Sequence, residues 1–205
     1  MSFLSKLFAG RPAPEPFDMQ PTAEMMDEDR YWQIVQFSLD ESGGDQECQE
    51  NVLIRELEKL SPKDIVGFRL RTDKLLYDTY TSHMWCAGYV MNDGCSDDAF
   101  EYFRLWIISR RREVYEAAKA DPDSLANVSV DDIMGQDFWF EPFWYVALKA
   151  FENQTGKQLY DYIDYDNFKT REGSYPDVEF DWQEDDPESM KRICPQLFER
   201  FARKA

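Results

Sequence analysis

The chain has 205 residues, 43% apolar and 16% aromatic, enough to build one well-packed domain or one domain with an appendage. Its 41 acids against 23 bases give a net charge of −18, which repels nucleic acid and anionic membranes and argues against both as partners. No apolar run approaches the ~20 residues needed to span a bilayer.

Residues 1–10 form a short amphipathic segment, with Phe3, Leu4, Leu7 and Phe8 at helical spacing and Lys6 and Arg11 beside them. It lacks the hydrophobic region and small-residue cleavage site of a signal peptide. Two cations are few for docking on a membrane, so surface contact through residues 1–11 is the lesser reading. The simpler one is a terminal helical turn packing on its own domain or a partner. Residues 11–24 carry Pro12, Pro14, Pro16 and Pro21 and read as an extended linker.

Residues 25–205 read as a single helical domain. Asp27, Glu28 and Asp29 precede Tyr31, Trp32, Val35 and Leu39, acids at a helix start with an apolar face behind them. Ser42-Gly43-Gly44-Asp45 breaks that helix, and Leu53, Leu57 and Leu60 mark the next. Ser61-Pro62-Lys63-Asp64 is a helix start, with a hydroxyl cap, a proline at the first position and an acid at the third. Ile65, Phe68, Leu75, Leu76 and Tyr80 continue its buried stripe. Trp85 to Met91 is apolar on all sides and ends at the turn Asn92-Asp93-Gly94. Ser96 caps a helix that is apolar nearly all round (Phe100, Phe103, Ile107; Tyr102, Trp106), which predicts a central position. Val114, Ala117 and Ala118 mark a short helix. Phe140, Phe143, Trp144, Ala147, Leu148 and Phe151 mark an amphipathic one, with Gly156 as its stop. A last helix runs from about Pro187 with Ile193, Leu197 and Phe201 inward. The fold class is therefore mainly α, a multi-helix domain of six to eight helices. Tyr160-Asp161-Tyr162 and the alternating Val178 to Trp182 would add a short β-hairpin or an extended segment near the C-terminus.

Candidate chemistry is sparse. The four cysteines have no C-x-x-C spacing and read as reduced thiols of a cytoplasmic protein. His83 is the single histidine, so Ser-His or Cys-His catalysis would have to use it, with Cys86 or Cys95. No nucleophile signature surrounds it, and the simpler reading is a histidine ending a helix, where its cation meets the dipole. Metal-ligand spacings and phosphate-cradling glycine loops are lacking, so no metal or cofactor is expected. The densest polar cluster is Ser96, Asp97, Asp98, Glu101 and Arg104. It reads as a structural network in which Arg104 pairs with one of the acids; Mg²⁺ or Ca²⁺ binding, or catalysis, is the sharper alternative.

The same region carries a resemblance. Trp85-Cys86-Ala87-Gly88-Tyr89, the run from Gly94 to Ser109, Glu113 to Ala118 and Asp121 to Ala126 resemble the bacterial domain of unknown function 4240. Met26 to Trp32 and Leu60-Ser61-Pro62 add to the likeness, which covers about Met26 to Ala126. It implies a mostly helical, cytoplasmic bacterial domain and no assigned reaction. The chain departs from the pattern at Arg110-Arg111-Arg112, where a glycine is expected.

Beyond the resemblance, between Asp161 and Glu188, eleven acids face two bases, a net −9 and half of the total excess. Aromatics are threaded through this acidic segment, which spans residues 160–188. Acids steer a basic protein and desolvated rings hold it, so Tyr162, Asp164, Tyr165, Asp166, Glu179, Phe180, Asp181, Trp182, Glu184 and Asp185 are the candidate partner-binding residues. The competing reading is a solvated charged face whose rings belong to the core. The function expected is a non-catalytic acidic binding protein, most concretely an immunity protein that neutralises a cognate antibacterial toxin. The alternatives are an enzyme built on Asp97, Asp98, Glu101 and Arg104, or a cytoplasmic adaptor.

Overall fold

The computed structural model describes residues 18–129, 138–168 and 176–201. The N-terminal amphipathic segment and most of the proline-rich linker lie outside the described residues.

Nine α-helices form among the described residues: α1 Glu28–Ser42, α2 Gln46–Leu57, α3 Pro62–Asp78, α4 Ser82–Asn92, α5 Asp97–Ser109, α6 Arg112–Ala120, α7 Val146–Thr155, α8 Pro187–Ile193 and α9 Pro195–Phe201. Short polar side chains start them by accepting from otherwise orphaned amides. Asp27, Asp45, Ser61, Thr81, Ser96 and Asp186 each cap the helix that follows. Gly43, Asp93 and Gly156 end α1, α4 and α7 in the left-handed conformation. Helix α5 is central: Phe100, Phe103, Leu105, Trp106, Ile107 and Ile108 are all buried. Around it, α1 packs on α2, α7 bridges α2 and α3, and α4 meets α8 and α9.

Several expectations are corrected. The last helix is two, because Pro195 has no amide to donate and restricts Cys194, which breaks α8 from α9. That division accounts for the ninth helix. The second helix starts at Gln46, capped by Asp45, well before its leucine stripe. The stripe from Phe140 opens as a 3-10 turn, Glu141–Tyr145, with Pro142 in its first turn, and becomes α-helical only at Val146. Tyr160 to Tyr162 lies in a 3-10 turn, Leu159–Tyr162, and is not a strand. Val178 to Trp182 is extended and no hairpin forms among the described residues; the single bridge there is Thr22 with Ile163. Side chains replace the missing ladder: Arg192 donates to the Asp181 carbonyl and the Trp182 indole to that of Ser82.

Residues 18–24 do not hang free. Thr22 exchanges two backbone hydrogen bonds with the Tyr162–Asp164 stretch, and Met26 donates to the Gly67 carbonyl in mid-α3. Gly67 permits that approach, since a Cβ there would stand 3.0 Å from the Met26 nitrogen.

Candidate functional site

Helices α4 and α5 cross closely because Gly88 has no side chain: a Cβ would meet the Phe103 ring at 2.9 Å and the Cys95 sulfur at 3.2 Å. The crossing locks Trp85. Its indole stacks on Phe100 at 4.4 Å, stands edge-on to Tyr80 at 5.8 Å, and donates to the Cys95 carbonyl at 2.9 Å. The acidic segment lies against this wall. Trp182 is only 5% exposed, packs on Tyr89 at 5.6 Å and hydrogen-bonds to Ser82 at 3.0 Å. Phe180 stands perpendicular to both Trp85 (5.4 Å) and Trp182 (5.6 Å) and is 50% exposed.

Between wall and segment runs a groove of about 510 Å³. Trp85, Phe180 and Trp182 supply its aromatic side, with Cys95; Ser96, Asp97, Gln183, Glu184 and Asp185 supply its polar side. The two regions singled out in the sequence thus share one surface feature. The surroundings are electronegative: the Tyr89 phenol is pushed up first by burial and then by the carboxylates of Glu184, Asp93 and Asp185. Burial pushes the Cys95 thiol up to about 12, outweighing the opposing charge of Arg104. Such a thiol is a poor nucleophile at neutral pH.

The structure distributes the candidate residues unevenly. Ser96 caps the Ala99 amide, and Asp97 and Asp98 are exposed in the first turn of α5, where the amides there favour acids. Glu101 is half-buried, whereas Arg104 is 1% exposed and runs into the core. Its guanidinium donates to the carbonyls of Phe100 and Leu76 and lies 4.3 Å from the Phe100 ring and 4.9 Å from that of Tyr80. Glu179 and Asp181 are exposed near the groove. The remaining four stand elsewhere, beside α7: Tyr162 packs on Phe151, Asp164 caps the turn at Asn167, and Tyr165 and Asp166 are exposed on that turn. Among the described residues, no group of three His, Cys, Asp or Glu side chains converges so as to hold a metal ion.

His83 opens α4 and does not end a helix, because Thr81 caps a new helix after α3 has stopped. Its ring nitrogen meets Asp181 at 3.0 Å, and the Ser82 hydroxyl donates to the same carboxylate at 3.3 Å. The hydrogen bond from His83 holds the Asp181 carboxyl below its usual range, against a smaller opposing effect of burial.

Sequence reasoning missed two buried arginines. Arg69 pairs with Asp73 at 3.0 Å and lies 3.5 Å from the Trp144 ring. Arg110 donates to Gln49, Gly44 and Ser109, tying the end of α5 to the α1–α2 turn. Arg69 had no signal in the sequence; that for Arg110 was the arginine triplet that broke the family pattern. Its next member, Arg111, adopts φ 96° and ψ 165°, a conformation suited to glycine. The third, Arg112, pairs with Asp29 and Glu28 of α1.

Fold and groove define a mainly α domain with an acidic, aromatic-walled surface cleft. Residues 26–153 match the family described as protein of unknown function (DUF4240), and the chain belongs to that family. The match runs past the stretch that carried the resemblance and takes in most of α7. It stops short of the acidic segment, so one wall of the groove comes from the family region and the other from outside it. No curated protein and no solved structure matches the chain. Among the described residues, no helix is long and apolar enough to cross a membrane.

Proposed function

We propose that this protein captures a basic protein partner through the face formed by α4, α5 and residues 176–186, and that it acts as a cytoplasmic immunity protein against a basic antibacterial toxin. The observation that carries the reading is Phe180, half exposed in a groove that the exposed carboxylates of Asp97, Glu184 and Asp185 also line, with exposed Glu179 and Asp181 on either side of it in the chain. Charge at the rim speeds encounter, while a ring that loses water on docking slows departure. Phe180 takes the anchoring role, since Trp182 is already committed to the chain's own packing.

The test is co-expression with basic proteins encoded beside the gene, followed by binding kinetics at low and high salt. Charge reversal at Glu179, Glu184 and Asp185 is expected to lower the association rate at least tenfold at low salt, with the difference shrinking at high salt. Binding that ignores both salt and charge reversal, in variants that stay folded, would place the interface elsewhere.

A further inference from the structure

Resting on that reading, we propose that the groove is a socket for one arginine side chain of the partner, its guanidinium laid against Phe180 and Trp85 and held by Asp97, Glu184 and Asp185. Two kinds of wall meet here, and they are complementary to different parts of the same group. A guanidinium is planar, weakly hydrated and always charged, so its face stacks on aromatic rings while its edge donates in a fork to carboxylates. A lysine ammonium keeps its water and offers no flat face.

The walls are preorganised. Trp85 is held by Phe100, Tyr80 and the Cys95 carbonyl, so stacking against it costs little ordering. Phe180 meets Trp85 and Trp182 edge-on and is still half exposed, which leaves ring surface for an occupant. At about 510 Å³ the groove takes the side chain with part of the loop that presents it. The fold itself seats one arginine in this manner: Arg69 lies 3.5 Å from the Trp144 ring and pairs with Asp73 at 3.0 Å.

The test uses the full chain labelled with ¹⁵N, reading the indole N–H signals of Trp85 and Trp182. Three capped Gly-Gly-X-Gly-Gly peptides are titrated in, with arginine, lysine or citrulline as X. The arginine peptide should shift Trp85 saturably, the lysine peptide more weakly, and citrulline, which has the shape without the charge, least. Phe180→Ala should weaken the arginine response about two- to fivefold with the melting temperature unchanged. Asp97→Asn combined with Glu184→Gln should weaken it by a similar factor, and Phe180→Tyr should restore it. An equal response to arginine and citrulline, or one indifferent to Phe180→Ala, overturns the socket. Trp85 shifts that track chain concentration without peptide also overturn it, assigning the groove to a second copy.

The two readings fail separately. A basic partner that binds with salt sensitivity and leaves faster from Phe180→Ala, yet leaves at the same rate from Asp97→Asn combined with Glu184→Gln and in its own Arg→Lys variants, keeps capture and removes the socket. Arginine-peptide binding by a chain that no neighbouring basic protein engages keeps the socket and removes the partner.

Discussion

Single residues carry the departures from local rule. Arg111 sits at φ 96° and ψ 165°, where a Cβ is crowded and glycine is at ease. Its neighbours hold it there: Arg110 is clamped to Gly44 and Gln49, and Arg112 pairs with Asp29 and Glu28. Strain of this kind costs about 1–3 kcal/mol, while a glycine would cost about 0.5–1 kcal/mol in unfolded-chain entropy. Arg111→Gly should therefore stabilise the protein by about 1 kcal/mol, read as a rise of a few degrees in melting temperature. A fall would mean that the Arg111 side chain makes contacts worth more than the strain. The missing glycine of the family pattern was visible in the sequence. That its place is a positive-φ turn was not, because three consecutive arginines give no hint of backbone conformation.

Elements are held together by side chains reaching across long stretches of sequence. The Asp123 carboxylate, 4% exposed in the 3-10 turn after α6, accepts from the amides of Gln196 and Leu197 and so starts α9 from outside. Asp181 does similar work on the surface, fastening the acidic segment to His83 and Ser82 at the start of α4. Because the folded Asp181 carboxyl titrates below an ordinary one near ~3.9, the unfolded chain binds its proton first as acid is added. Its contribution is therefore complete above that ordinary value and is lost as the pH falls through the lower folded one. The pair is more than half exposed, so screening leaves it worth no more than about 0.5 kcal/mol. Asp181→Asn should speed amide exchange in residues 176–183 at pH 6 while hardly moving the melting temperature, and the exchange difference should vanish near pH 2. A difference that persists in acid would credit the hydroxyl of Ser82 and the Trp182 packing instead of the charge.

Across the whole molecule the excess of negative charge opposes folding. Exposed ion pairs such as Arg30–Asp64 and Arg112–Asp29 return little, because solvent and counterions screen them. Self-repulsion from a net −18 is spread over the surface and is relieved by salt. Raising the salt from 20 mM to 500 mM should therefore raise the melting temperature. A melting temperature that drops with salt would show that specific pairs outweigh the repulsion.

Helix identity, the Ser61 and Ser96 caps and the central place of α5 were legible in the sequence because they depend on neighbours within four residues: a hydroxyl at a start, a glycine at a stop, an apolar stripe between. The acidity and aromatic content of the C-terminal segment were legible for the same reason, being composition. Whether its rings faced inward was not, since alternation marks two faces without saying what covers either. Packing against α4 decided it, taking Trp182 into the core and leaving Phe180 half outside. The groove itself belongs to the tertiary structure alone. Asp97 and Glu184 are separated by most of the second half of the chain, and they line one cleft only because Gly88 lets α4 and α5 close on each other and Trp182 pins the segment across them.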